Sequence, residues 1–111
     1  QNSNFSTVLE KVDTFLYKCN SAYITICTDV FSSAFAPGVS ATQTLGLDPE
    51  AVLPLLKHIL RTRQVRGFDI CEISPRFDQD NTTAKLGAVL IFAVVNTLCK
   101  LNNLAIDVLT H

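Results

Sequence analysis

The chain has no methionine, two histidines and only four glycines in 111 residues, and each shortage excludes something. There is no glycine-rich phosphate loop, no G-x-S-x-G nucleophile turn and no H-E-x-x-H metal motif. His58 falls beside Lys57 at a surface or edge position of a helix, and His111 is terminal, so no histidine is at hand as a general base. The four cysteines, Cys19, Cys27, Cys71 and Cys99, form no C-x-x-C pair, which argues against a zinc ribbon or a thioredoxin motif. Each lies in an apolar segment, where a reduced thiol acts as a small hydrophobe, and a reducing, cytoplasmic compartment is expected. Nine Lys and Arg against ten Asp and Glu leave neither a basic stripe nor an acidic tail, so no nucleic-acid partner is expected. Gln1-Asn2-Ser3-Asn4 lacks the cationic start of a signal peptide. The longest apolar run, Leu86 to Leu98, is about 13 residues and contains Asn96, against about 20 for a bilayer crossing. It reads as a buried helix, with no membrane partner. Opening at Gln1 without a methionine anywhere, the chain reads as a piece of a longer one.

What is present is apolar enough to build a core. Hydrophobic residues make up 48% of the chain and charged residues 17%, and residues 1–111 read as a single portion of one domain. Phe5, Val8, Leu9, Val12, Phe15, Leu16 and Cys19 recur at helical spacing and predict an amphipathic helix over 5–19. Tyr23 to Thr28 is uncharged and rich in β-branched residues, which predicts a buried strand. Val30 to Leu47 has no periodicity and reads as a long loop, of the kind that is usually functional or mobile. Asp48-Pro49-Glu50 opens a helix, with Asp48 as N-cap, Pro49 at the first helical position, and one apolar face made by Val52, Leu55, Leu56, Ile59, Leu60 and Arg63. Arg61 to Arg66 reads as a polar helix exit, and Gly67 to Ile73 as a second strand. Asp80 or Asn81 is placed to cap a last helix over 83–101. That helix is apolar on nearly every face, so it should be buried between other elements, by a missing part or by self-association.

Strand, helix and strand make a parallel βαβ unit. Ligands gather at the carboxyl ends of the strands in such sheets. Here each strand ends near an acid, Asp29 and Glu72, which points to a cation site or to a metal with a cationic substrate. Alternation along the first strand sends Cys27 and Asp29 to one face. Cys27 has two readings, a metal ligand or a core thiol; a thiolate suits zinc and softer metals better than manganese. Asp29 is either a site ligand or a loop anchor. Glu72, on one face with Phe68 and Ile70, needs a partner: Arg66 or Arg76, or a cationic amidine or guanidinium held by two parallel hydrogen bonds. Asp69 reads as structural, holding a loop amide.

These residues resemble the ureohydrolase family of arginase, agmatinase and formimidoylglutamase. The family's S-x-D-x-D strand motif with its following A-P-G loop stands here as Thr25-Ile26-Cys27-Thr28-Asp29 and Ala36-Pro37-Gly38-Val39-Ser40-Ala41. Its D-I-x-E-x-x-P motif stands as Asp69 to Pro75, and a D-x-D-x-x-T-A stretch begins at Asp78. The match runs from Tyr23 to Leu98 and is most like the formimidoylglutamase branch. The resemblance implies a three-layer α/β fold around a parallel sheet, of which this chain is the C-terminal portion. It implies two manganese ions as cofactor, with Asp29 a metal ligand, Cys27 in the place of an aspartate that bridges the metals, and Glu72 facing the substrate's cationic nitrogen. The implied reaction is hydrolysis of a small-molecule amidine, N-formimidoylglutamate, to glutamate and formamide, a step of histidine degradation.

The sequence departs from the family at Cys27, at Ser32-Ser33 where many members have Asp-Pro, and at Thr42 where proline is usual. The family's remaining ligands belong to motifs upstream of this chain, so it cannot assemble the metal site alone. Two other functions stay open, a non-catalytic structural or binding module and an agmatinase- or arginase-type hydrolase of guanidines. A homo-oligomer is expected, because a parallel sheet needs cover on both faces.

Overall fold

A computed structural model describes residues 2–62 and 64–103 of the chain. Helix α1 (Asn2–Leu16) leads to strand β1 (Ala22–Cys27), helix α2 (Pro49–Thr62), strand β2 (Val65–Cys71) and helix α3 (Thr82–Leu101). A single 3-10 turn follows each strand, at Thr28–Val30 and at Pro75–Phe77. β1 and β2 pair in parallel, with Tyr23 opposite Gly67 and Cys27 opposite Cys71, and an irregularity between Ala22 and Tyr23. The expected βαβ unit is therefore present, although β2 begins at Val65 and ends at Cys71 rather than Ile73. Arg66, read as part of the helix exit, belongs to that strand, and Arg63 lies outside the described residues.

The core forms where α2 and α3 cover one face of the sheet. Ile26 of β1 packs with Leu56 and Leu60 of α2 and Leu90 and Val94 of α3, and Ile24, Phe68 and Ile70 join from the same sheet face. Burying side chains of this size stabilises the fold by about 1.5–3 kcal/mol each. α2 starts as its sequence requires: the Asp48 carboxylate accepts the Glu50 amide at 2.8 Å, and Pro49 occupies the first helical position. Pro54 lies inside α2 without ending it.

The opposite sheet face carries Tyr23, Thr25 and Asp69 and has no helical layer among the described residues. α1 sits at the edge, joined to α2 by the His58–Asp13 contact at 2.7 Å, and of its expected apolar stripe only Leu16 is buried. α3 corrects a second expectation. The apolar run lies within a helix of 20 residues, long and apolar enough by length and composition to cross a bilayer. Thr83, Gly87, Leu90, Val94 and Thr97 face inward, while Val89, Ile91, Phe92 and Val95 are each about half exposed. The helix is covered on one side only.

Candidate functional site

The long loop is not loose. Phe31 and Ala36 are fully buried and Val39 nearly so, which anchors its first half in the core. Its second half returns to the strand end: the Ser32 amide donates to the Leu47 carbonyl at 3.0 Å and the Ser33 amide to the Gln43 carbonyl at 2.7 Å. Gly46 permits the return, since a Cβ there would stand 2.5 Å from the Phe31 carbonyl carbon. The result is a cleft of about 540 Å³ at the carboxyl end of β1, walled by Cys27, Asp29 and Val30 on one side and by Gln43, Leu45 and Leu47 on the other. A larger cleft of about 620 Å³ lies between α1 and β1, but Lys11 is its only charged wall residue and it is away from the strand-end acids.

Cys27 and Asp29 come together, though not by strand alternation. β1 stops at Cys27, and the 3-10 turn that follows brings Asp29 to the same cleft wall as the thiol. The neighbouring Asp29 carboxylate, together with partial burial and Cys71, pushes the Cys27 thiol up to about 12. Two thiols therefore meet at this rim, since Cys71 is the cross-strand partner of Cys27. The Asp29 carboxylate is a hard oxygen donor of the kind that suits manganese. The Cys27 thiol can ligate only after losing its proton, which a bound divalent cation promotes. The pair thus offers one hard donor and one soft donor. Among the described residues no group of three or more His, Cys, Asp or Glu converges on a metal position.

Glu72 also departs from the strand pattern. It lies just beyond β2 with φ 66°, in the left-handed region, and its side chain is exposed rather than aligned with Phe68 and Ile70. No ion pair to Arg66 or Arg76 is found among the described residues, and the Arg76 guanidinium lies 5.3 Å over the Phe77 ring instead. The buried Thr28 hydroxyl reaches the Glu72 carbonyl at 2.7 Å and the Cys71 carbonyl at 3.2 Å. Glu72 is at the same sheet rim as Asp29 but does not wall the cleft that Cys27 and Asp29 share. Asp69 is structural as expected, with different partners: it accepts hydrogen bonds from Tyr23 at 2.8 Å and Thr25 at 3.4 Å across the sheet.

A second set of contacts ties the rim to α3. The Ser74 amide donates to the Gly38 carbonyl at 2.6 Å, and the Gly38 amide donates to the buried Thr83 hydroxyl at 2.7 Å. Asn81, one of the two expected residues, holds the N-cap position of α3 but makes no side-chain capping hydrogen bond; the Asp78 carboxylate accepts the amides of Thr83 at 2.9 Å and Ala84 at 3.1 Å instead. Partial burial pushes the Asp78 carboxyl up, but these amides, the Thr83 hydroxyl and the Gln79 amide outweigh it and hold the group below its ordinary value. Gly38 is needed because a Cβ would meet the Asp78 side chain at 2.7 Å.

A family model described as the arginase family matches residues 1–96. The chain belongs to the arginase family. It is 54% identical over 99 residues to a formimidoylglutamase of Clostridium tetani, a match that covers 89% of this chain and 29% of that protein. Among solved structures, a hypothetical agmatinase from Burkholderia thailandensis superposes with TM-score 0.78 at 23% identity, covering 89% of this chain and 31% of that one. The formimidoylglutamase of Bacillus subtilis superposes with TM-score 0.77 at 25% identity, covering 83% and 29%. The α/β fold with its parallel sheet is thus the arginase fold, and the chain spans less than a third of the length of these relatives. Sequence reasoning missed Thr28 and Thr83. Each looked like an ordinary strand or helix residue, and only the fold turns its hydroxyl onto another element.

Proposed function

We propose that this chain is the C-terminal portion of a formimidoylglutamase-like, metal-dependent hydrolase that cleaves the C–N bond of an amidine, converting N-formimidoylglutamate and water to glutamate and formamide. The observation that carries the reading is the identity to the Clostridium tetani formimidoylglutamase across a segment that includes both strand ends. In this reading the enzyme is cytoplasmic, serves histidine degradation and acts as a homo-oligomer. Asp29 and a deprotonated Cys27 would hold part of a manganese site whose other ligands come from outside this chain. Manganese, when bound, supplies a water-derived nucleophile at neutral pH and polarises the bond to be cleaved. Glu72, exposed at the rim, holds the substrate's cationic amidinium by charge-assisted hydrogen bonds and so sets which carbon faces attack. In the metal-free chain the Asp29 carboxylate favours the protonated form of the Cys27 thiol.

The alternative, a non-catalytic binding module on the same fold, is favoured by one observation: a cysteine, Cys27, stands where the family resemblance leads one to expect a metal-bridging acid. Metal analysis of the full-length protein separates the two. The enzyme reading expects stoichiometric manganese or zinc, and tighter manganese binding in Cys27→Asp. A protein that takes up neither metal is a binding module. Unchanged manganese affinity in Cys27→Asp would remove Cys27 from the ligand set.

A further inference from the structure

We propose that Thr28 is a positioning residue: its buried hydroxyl holds Glu72 in a left-handed backbone conformation, and that conformation brings the Glu72 carboxylate out at the sheet rim. The inference rests on the substrate-facing role proposed above for Glu72 and adds the residue that makes it possible.

An extended continuation of β2 would place Glu72 on the face of Phe68 and Ile70, which α2 and α3 cover. Burying a carboxylate there without a partner is strongly unfavourable. The backbone instead leaves the strand pattern at Glu72, with φ 66°, and the side chain is exposed. Glutamate has no special tolerance for this region, unlike Asn, Asp or Gly, so its surroundings must impose the conformation. Thr28 supplies the hold. It is fully buried, and its hydroxyl proton is donated to the Glu72 carbonyl at 2.7 Å, with the Cys71 carbonyl at 3.2 Å as a second acceptor. These two carbonyls lie on either side of the Glu72 Cα. Two residues further on, the Ser74 amide is fixed to the Gly38 carbonyl at 2.6 Å, so the segment is pinned on both sides of Glu72. Thr28 also stands between Cys27 and Asp29. One short segment therefore carries the two proposed metal-facing groups on its flanks and sets the proposed substrate-facing group through its centre.

Five variants of the full-length enzyme test this. Thr28→Val removes the hydroxyl at nearly constant volume and Thr28→Ser keeps it. Thr28→Val is expected to raise KM for N-formimidoylglutamate about tenfold with kcat little changed, because a contact made in ground and transition state alike is weakened; Thr28→Ser should stay within about twofold of wild type. A fall in kcat at constant KM, or a serine variant as impaired as the valine one, overturns the proposal in favour of simple core packing. Thr28→Val combined with Glu72→Gly keeps the test alive if Thr28→Val does not fold. Glycine takes the positive φ unaided, so the double variant should recover the melting temperature of Glu72→Gly alone. Failure to recover it also overturns the proposal. Glu72→Ala separates the two layers of the argument. Unchanged kcat/KM there refutes the substrate contact itself, whereas a large loss there with an unaffected Thr28→Val refutes only the positioning role.

Discussion

Cys27 should be an unusually slow thiol in the metal-free protein, and Asp29 should be the reason. An ordinary cysteine has a value of 9.0, while the Asp29 carboxylate, partial burial and Cys71 together push the Cys27 thiol up to about 12. At pH 8 that difference leaves about a thousandfold less thiolate, the only form that attacks an alkylating reagent. A more basic thiolate is intrinsically more nucleophilic, which with a Brønsted slope of about 0.4–0.5 returns a factor of about 20–30. The net expectation is alkylation about 30–60-fold slower than that of an unstructured cysteine peptide, with a rate still rising above pH 10. Iodoacetamide labelling, resolved by peptide mass spectrometry in the presence of a chelator, measures it residue by residue. Steric shielding slows both wild type and Asp29→Asn, so the ratio between them isolates the carboxylate. Removing the charge should speed Cys27 labelling about tenfold or more, since Asp29 makes the largest contribution. A Cys27 that labels like the free peptide, or one indifferent to Asp29→Asn, would refute the thiol–carboxylate contact and the shared cleft built on it.

Three further outcomes are expected. Glu72→Ala should lower kcat/KM for the amidine by about 10²–10⁴, the worth of two hydrogen bonds to a charged group, with circular dichroism unchanged; near-normal kinetics would take Glu72 out of the site. Asp78→Ala should lower the melting temperature, because the first amides of α3 lose their acceptor. The folded-state carboxyl lies below its ordinary value of 3.8, so its contribution is present above that pH and lost as pH falls through the lowered value. Asp78→Asn should therefore flatten the acid limb of the stability curve, and an unaltered limb would contradict the capping role. The outer face of α3 exposes Val89, Ile91, Phe92 and Val95, so the chain on its own should self-associate and Phe92→Glu should reduce its size in sedimentation. A clean wild-type monomer would count against that.

The elements themselves were readable because each obeys one local rule. β1 is rich in β-branched residues, α2 announces itself with Asp48-Pro49-Glu50, and α3 is built on a long apolar run interrupted only by polar residues such as Asn96. The two strands and the loop between them could be placed before any coordinates. The orientation of the site residues could not, because period-two alternation stops where the strand stops. β1 ends at Cys27, so Asp29 reaches the thiol through a 3-10 turn rather than by sharing a strand face with it. β2 ends at Cys71, so the phase assigned to Glu72 was wrong by the one residue that adopts positive φ. The N-cap position of α3 at Asn81 is legible in the sequence, but the group that accepts the helix amides is not. Asp80 and Asn81 are the nearest capping residues in sequence, yet both are in the left-handed turn, and the Asp78 carboxylate reaches over them to the helix amides. Exposure of α3 followed from what the sequence omits, since a chain covering less than a third of its relatives cannot supply both faces of a parallel sheet.

The central claim is that this sheet rim serves amidine hydrolysis. Product release by the full-length enzyme with added manganese, read as formamide from N-formimidoylglutamate and as urea from agmatine and arginine in parallel, tests it most directly. The account predicts turnover of N-formimidoylglutamate over both guanidines, abolished by chelation and by Asp29→Ala. Inactivity on N-formimidoylglutamate with both manganese and zinc, or full activity in Asp29→Ala, would contradict it.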